Sequence, residues 1–123
     1  MRRVELHEED ARRFMEEGGV PGKFTEASSR VAVILTQSWC PQWKAMDAYL
    51  ARMESEEAPE LRALRVFYLV YDLLPCGGEF MAFKENTFKN GEIPFVLYYA
   101  EGKLTGCGNY VSEASFRERA QVT

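Results

Sequence analysis

Hydrophobic positions along the 123-residue chain fall into blocks whose period switches between helix-like and strand-like. In "HEEDARRFMEEGG", Ala11, Phe14 and Met15 share one helical face and acidic residues crowd the first turn. Gly18-Gly19 then close the pattern, which predicts a short amphipathic helix. "VPGKFTEASSR" carries the Pro, Gly and Ser content of a loop. From Val31 to Leu35 the run is continuously apolar and rich in β-branched residues, as in a strand buried on both faces. A strand is expected over 31–37. Trp43, Met46, Leu50 and Met53 then recur every three or four residues, predicting a helix from Pro41 to about Ser55. Proline suits the first helical turn, where its missing N–H costs nothing.

"LRALRVFYLVYD" predicts a second buried strand over 66–72, and "LLPCGGEFMAFKENTFKNGE" a helix around 79–86. "IPFVLYYAEGKLTGCG" reads as a hairpin, with strands over 95–100 and 103–108 turning at Glu101-Gly102. "SEASFRERA" predicts a final helix with Ser112 as N-cap and Phe116 and Ala120 turned inward. The expected order is helix, strand, helix, strand, helix, strand, strand, helix. This describes one α/β layered domain spanning 1–123, with a parallel core and an antiparallel hairpin at the edge.

Composition narrows the function classes. Hydrophobic residues make up 46% and charged residues 28% of the chain, enough apolar material for a core. The net charge of -4 offers no basic footprint for nucleic acid. No apolar run approaches the roughly 18 residues of a membrane span, and no apolar segment follows "MRR" as in a signal peptide. Neither nucleic acid nor membrane is expected as a partner. Three cysteines without a secretory signal favour reduced thiols in the cytoplasm over a disulfide framework. The single histidine, His7, lies in an acidic stretch, and no Cys/His cluster has metal-ligand spacing, so no metal is expected. "EEDARR" and "RERA" read as solvated helix faces. Cys76 reads as structural or incidental.

The candidate chemistry sits in "SWCPQWKAM". Cys40 falls at the junction of the first predicted strand and the Pro41 helix. A helix N-terminus carries unpaired N–H groups and partial positive charge, which stabilise a thiolate. A thiolate can attack a disulfide and form a mixed disulfide. The thiol of Cys40 is therefore expected to be partly exposed. Three residues on, the same helical face carries Trp43 and no second thiol.

Three features together resemble the thioredoxin family, over about residues 31–120, with 1–30 as an N-terminal helix and loop. They are Trp39-Cys40 at the strand-to-helix junction, Ile93-Pro94 opening the hairpin, and "EGKLTGCG" before a terminal helix. The resemblance implies a three-layer α/β sandwich with a central mixed sheet and helices on both faces. It also implies a cis Pro94 facing Cys40, and a substrate groove formed by Trp39, Pro41, Trp43, Ile93, Pro94 and Gly108. The family's Cys-Gly-Pro-Cys is here Cys40-Pro41-Gln42-Trp43, and its buried acid six residues before the first cysteine is here Ile34. With no second thiol to deprotonate, a buried acid would have no task to offset its cost. Gln37 stands where peroxiredoxins have a threonine, which disfavours a peroxidase. "Cys-Pro" and the glycines Gly106 and Gly108 around Cys107 also resemble glutaredoxins.

The resulting expectation is monothiol exchange with protein or peptide thiols and disulfides, with Cys40 as nucleophile and no resident cofactor. The resolving thiol would be glutathione, a partner protein's thiol, or Cys107. Two alternatives remain: a non-enzymatic module binding a peptide in the same groove, and a glutathione-linked monothiol oxidoreductase.

Overall fold

The computed structural model describes residues 1–122. Its elements are β1 (Arg2–Glu5), α1 (Glu8–Glu17), α2 (Gly22–Thr25), β2 (Arg30–Thr36), α3 (Pro41–Ser55), β3 (Leu64–Val70), α4 (Gly77–Phe88), β4 (Phe95–Ala100), β5 (Lys103–Gly108) and α5 (Glu113–Arg119). The sheet order is β1-β3-β2-β4-β5. β1, β3 and β2 are parallel, and β4 and β5 complete the sheet as antiparallel neighbours. This is a mixed α/β sandwich of three layers.

β2 runs through the middle, which explains its unbroken apolar sequence. Ala32 and Ile34 pack under α3 and α5, while Val31, Val33 and Leu35 pack under α1 and α4. A strand covered on both faces has no polar side to display. Pro41 starts α3, Gly18 ends α1 in the left-handed region at φ 74°, and the Ser112 hydroxyl accepts from the Ser115 N–H at 3.3 Å to cap α5. These terminators are legible in the sequence because each does a local job.

Several elements differ from the expectations, β2 by a one-residue shift to 30–36 and β3 by a start at Leu64. The chain opens with a strand: β1, within the segment read as helix and loop, pairs with β3 in the register Val4↔Phe67. "RRVE" shows no apolar alternation because β1 is an edge strand. It is tied down by Arg3, whose N–H donates to Glu54 Oε2 at 2.8 Å and whose guanidinium pairs with Asp47. The loop after α1 contains the short helix α2. β3 stops at Val70, and Tyr71–Leu73 forms a 3₁₀ turn instead of continuing the strand to 72. α4 begins two residues before the expected 79, and that turn packs directly beneath it. A Cβ on Gly77 would lie 2.4 Å from the Tyr71 carbonyl oxygen.

Candidate functional site

The loop between β2 and α3 is fixed by side chains from the 3₁₀ turn that follows β3. The Ser38 N–H donates to Asp72 Oδ1 at 2.8 Å, and its hydroxyl donates to Oδ2 at 2.7 Å. Trp39 Nε1 donates to Gln37 Oε1 at 2.6 Å, and Gln37 Nε2 donates to the Tyr71 hydroxyl at 3.2 Å. Trp39 is thereby oriented while remaining 61% exposed. A surface pocket of about 210 Å³ opens beside Gln37, with Tyr71, Asp72, Leu74 and Met81 in its wall.

Cys40 is the N-cap residue of α3: its backbone is extended, and its carbonyl accepts the Lys44 N–H at 3.1 Å. Its side chain stands at the end of the helix where N–H groups lack intrahelical partners. Sγ lies 3.8 Å from the Ile93 carbonyl oxygen, and the Ile93–Pro94 peptide bond is cis. The thiol is only 5% exposed, so the expected partial exposure is corrected. The segment at Ile93 closes over the sulfur, a long-range contact that the local sequence could not announce.

Trp43 does not line the groove. It is 5% exposed, its ring centre stands 5.6 Å from that of Tyr68, and it shares a packed cluster with Ile34 and Cys40. One turn into α3, residue 43 faces the sheet along with Met46, Leu50 and Met53. The places that a second thiol and a buried acid would occupy are thus both filled with apolar packing.

Cys107 is exposed and sits opposite Leu97 in the sheet, and Leu97 packs with α1 and α4. Residues paired across two strands point to the same face. Cys107 therefore turns toward the α1/α4 face, away from α3, whose N-terminus Cys40 caps. All three cysteines are free thiols. Gly108, opposite Val96, lies beneath Arg119, and a Cβ there would meet Arg119 Nη1 at 3.8 Å. Of the residues expected to form a groove, Trp39 and Pro41 are exposed and flank Cys40 in the chain, and Ile93, with the buried Pro94 after it, reaches Cys40 through its carbonyl. Cys76 is buried, and burial together with the Glu8 carboxylate pushes its thiol up to about 11.

Residues that the sequence reading missed hold the loop before Pro94. Lys84 on α4 is 0% exposed; its Nζ donates to the Glu92 carbonyl at 2.5 Å and stands 5.5 Å from the Phe95 ring centre. Burial lowers its pKa. Asn90 Oδ1 accepts the Glu92 N–H at 3.0 Å. Asn90 and Asn109 exchange two amide hydrogen bonds, and Asn109 Nδ2 also donates to the Pro94 carbonyl at 3.1 Å. A signal for Lys84 existed: Phe80, Lys84 and Phe88 recur at a spacing of four, so the lysine interrupts a core-facing stripe. Among the described residues, no group of three His, Cys, Asp or Glu side chains is arranged to hold a metal ion. No helix among them is long and apolar enough to cross a membrane.

No family model matches the sequence, and no curated protein matches it either. Solved structures do match. Trxlp from Edwardsiella tarda superposes with a TM-score of 0.62 at 18% identity, over 95% of this chain and 97% of that one. Thioredoxin O2 from Arabidopsis thaliana, in its oxidized state, gives 0.65 at 10% identity over 94% and 89%. Mitochondrial thioredoxin 3 from Saccharomyces cerevisiae gives 0.63 at 12% identity over 98% and 94%. The strand order, the α3 junction at Cys40 and the near-complete mutual coverage agree: this chain has the thioredoxin fold.

Proposed function

We propose that the protein performs thiol–disulfide exchange with one nucleophilic sulfur, Cys40. The observation that carries this reading is the position of Cys40, the N-cap residue of α3, with its Sγ 3.8 Å from the Ile93 carbonyl. Among the described residues, the Ile93 N–H has no hydrogen-bond partner, and its carbonyl has only the Cys40 thiol. An extended chain can pair with these backbone groups, which brings its sulfur to Cys40. The thiol loses its proton to solvent, and the thiolate attacks one sulfur of the partner's disulfide. A Cys40–partner disulfide forms as the partner's S–S bond breaks, and the departing thiolate takes up a proton. Trp43 cannot resolve this adduct, and Cys107 faces the other side of the sheet. A second thiol from outside, glutathione or a protein thiol of a reducing compartment such as the cytoplasm, attacks the mixed disulfide and restores Cys40. No resident cofactor is required.

The test is incubation with a peptide disulfide followed by peptide mapping by mass spectrometry. The expected result is one adduct, on Cys40, abolished by Cys40→Ser. An adduct on Cys107 alone would refute the reading. The 5% exposure of Cys40 favours a second reading, a groove that binds an extended partner without chemistry. Under that reading, a thiol-free peptide binds wild type and Cys40→Ser equally, and no adduct forms.

A further inference from the structure

Lys84 occupies a place that the helical pattern reserves for an apolar side chain. It lies one turn from Phe80 and one turn from Phe88, on the face of α4 that packs on the sheet, and it is 0% exposed. An ammonium taken out of water is costly unless its donors are used. Here the partner is a backbone carbonyl, Glu92 O, at 2.5 Å, with the Phe95 ring beneath. The same Glu92 peptide is gripped on its other side, where the N–H donates to Asn90 Oδ1 at 3.0 Å. Beyond Ile93, the Pro94 carbonyl accepts from Asn109 Nδ2 at 3.1 Å, and Asn109 is itself paired with Asn90. Side chains from α4, from the loop after it and from the residue following β5 thus converge on the peptide groups flanking Ile93. They leave the Ile93 groups unclaimed.

We propose that Lys84 is a positioning residue for exchange at Cys40: with Asn90 and Asn109 it immobilises the peptide groups on either side of Ile93, so that Ile93 presents its N–H and carbonyl to an incoming chain in register with Sγ. This rests on the exchange reading above. The positioning therefore matters for a disulfide carried by an extended polypeptide and not for a small-molecule disulfide. Only a chain with its own backbone donors and acceptors uses the immobilised Ile93 groups.

The experiment compares Cys40 adduct formation with bis(2-hydroxyethyl) disulfide and with a linear peptide disulfide, in wild type and in Lys84→Met. Methionine keeps the length and apolar packing of the lysine stem. The expected result is a rate with the small disulfide within about twofold of wild type. The rate with the peptide falls about tenfold, less than the roughly hundredfold cost of a full 1 Å misplacement, and appears as weaker half-saturation. Asn109→Ala, which releases the Pro94 carbonyl from the other side, shows the same selective loss and decides the matter if Lys84→Met does not fold. Equal slowing with both disulfides, or no change with either, overturns the positioning role while exchange at Cys40 stands. A wild type that reacts with the small disulfide and not with the peptide also overturns it. A wild type that forms no Cys40 adduct with either disulfide overturns the exchange reading, and the positioning role with it.

Discussion

Replacing Trp43 by cysteine restores the spacing of a dithiol site and at the same time removes a core side chain. The indole is 5% exposed and packs on Tyr68 beside Ile34 and Cys40. Truncating a buried tryptophan costs about 3–5 kcal/mol, because transfer free energy is lost and the surrounding structure closes the cavity only in part. A domain of this size has about 5–15 kcal/mol in total, so Trp43→Cys should fold with its thermal midpoint lowered by about 10–20 °C. Cysteines three residues apart in a helix fall on one face, within the reach of a disulfide. The variant therefore gains an internal resolving thiol. Ile34 supplies no base to deprotonate it, so turnover should rise only modestly. The assays are thermal unfolding by circular dichroism and insulin reduction with dithiothreitol, at a temperature where both proteins are folded. An unchanged midpoint would refute the assignment of Trp43 to the core. A wild type as fast as a dithiol reductase would refute the claim that adducts at Cys40 wait for an outside thiol.

Two further outcomes follow from buried groups. The Cys76 thiol is pushed from an ordinary value of 9.0 to about 11, first by burial and then by Glu8. The folded state therefore keeps a proton that the unfolded chain releases, and stability present below about pH 9 is lost as pH rises toward 11, by up to about 3 kcal/mol. Urea midpoints measured from pH 7.5 to 11 should fall less steeply in Cys76→Ala than in wild type, and equal slopes would contradict this account. Gly77→Ala would force a Cβ to within 2.4 Å of the Tyr71 carbonyl oxygen, a backbone atom that cannot turn aside. It should cost about 2–3 kcal/mol, and thermal unfolding at the wild-type midpoint would show that the close approach is absent.

Much of this protein was legible from local patterns. The β-branched run of β2 and the spacing of Trp43, Met46, Leu50 and Met53 each reflect the burial of their own element. So do the bounds of β4 and β5, and Pro41 and Ser112 at their helix starts. The β1 strand was hidden because an edge strand needs no apolar alternation and takes its stability from partners 50 or more residues away, Glu54 and the β3 backbone. The placement of Cys40 beside a helix N-terminus is likewise local, and sequence alone determined it. Only the tertiary structure decided that the sulfur is covered by Ile93, that Trp43 faces the sheet rather than the groove, and that the pleat of β5 turns Cys107 away from α3. Only it, too, brought Lys84, Asn90 and Asn109 onto one loop. Local periodicity records which side of an element is buried; it carries no information about which distant backbone groups those side chains will meet. A lysine in a row of phenylalanines acquires its meaning only when the fold carries the Glu92 carbonyl to its ammonium.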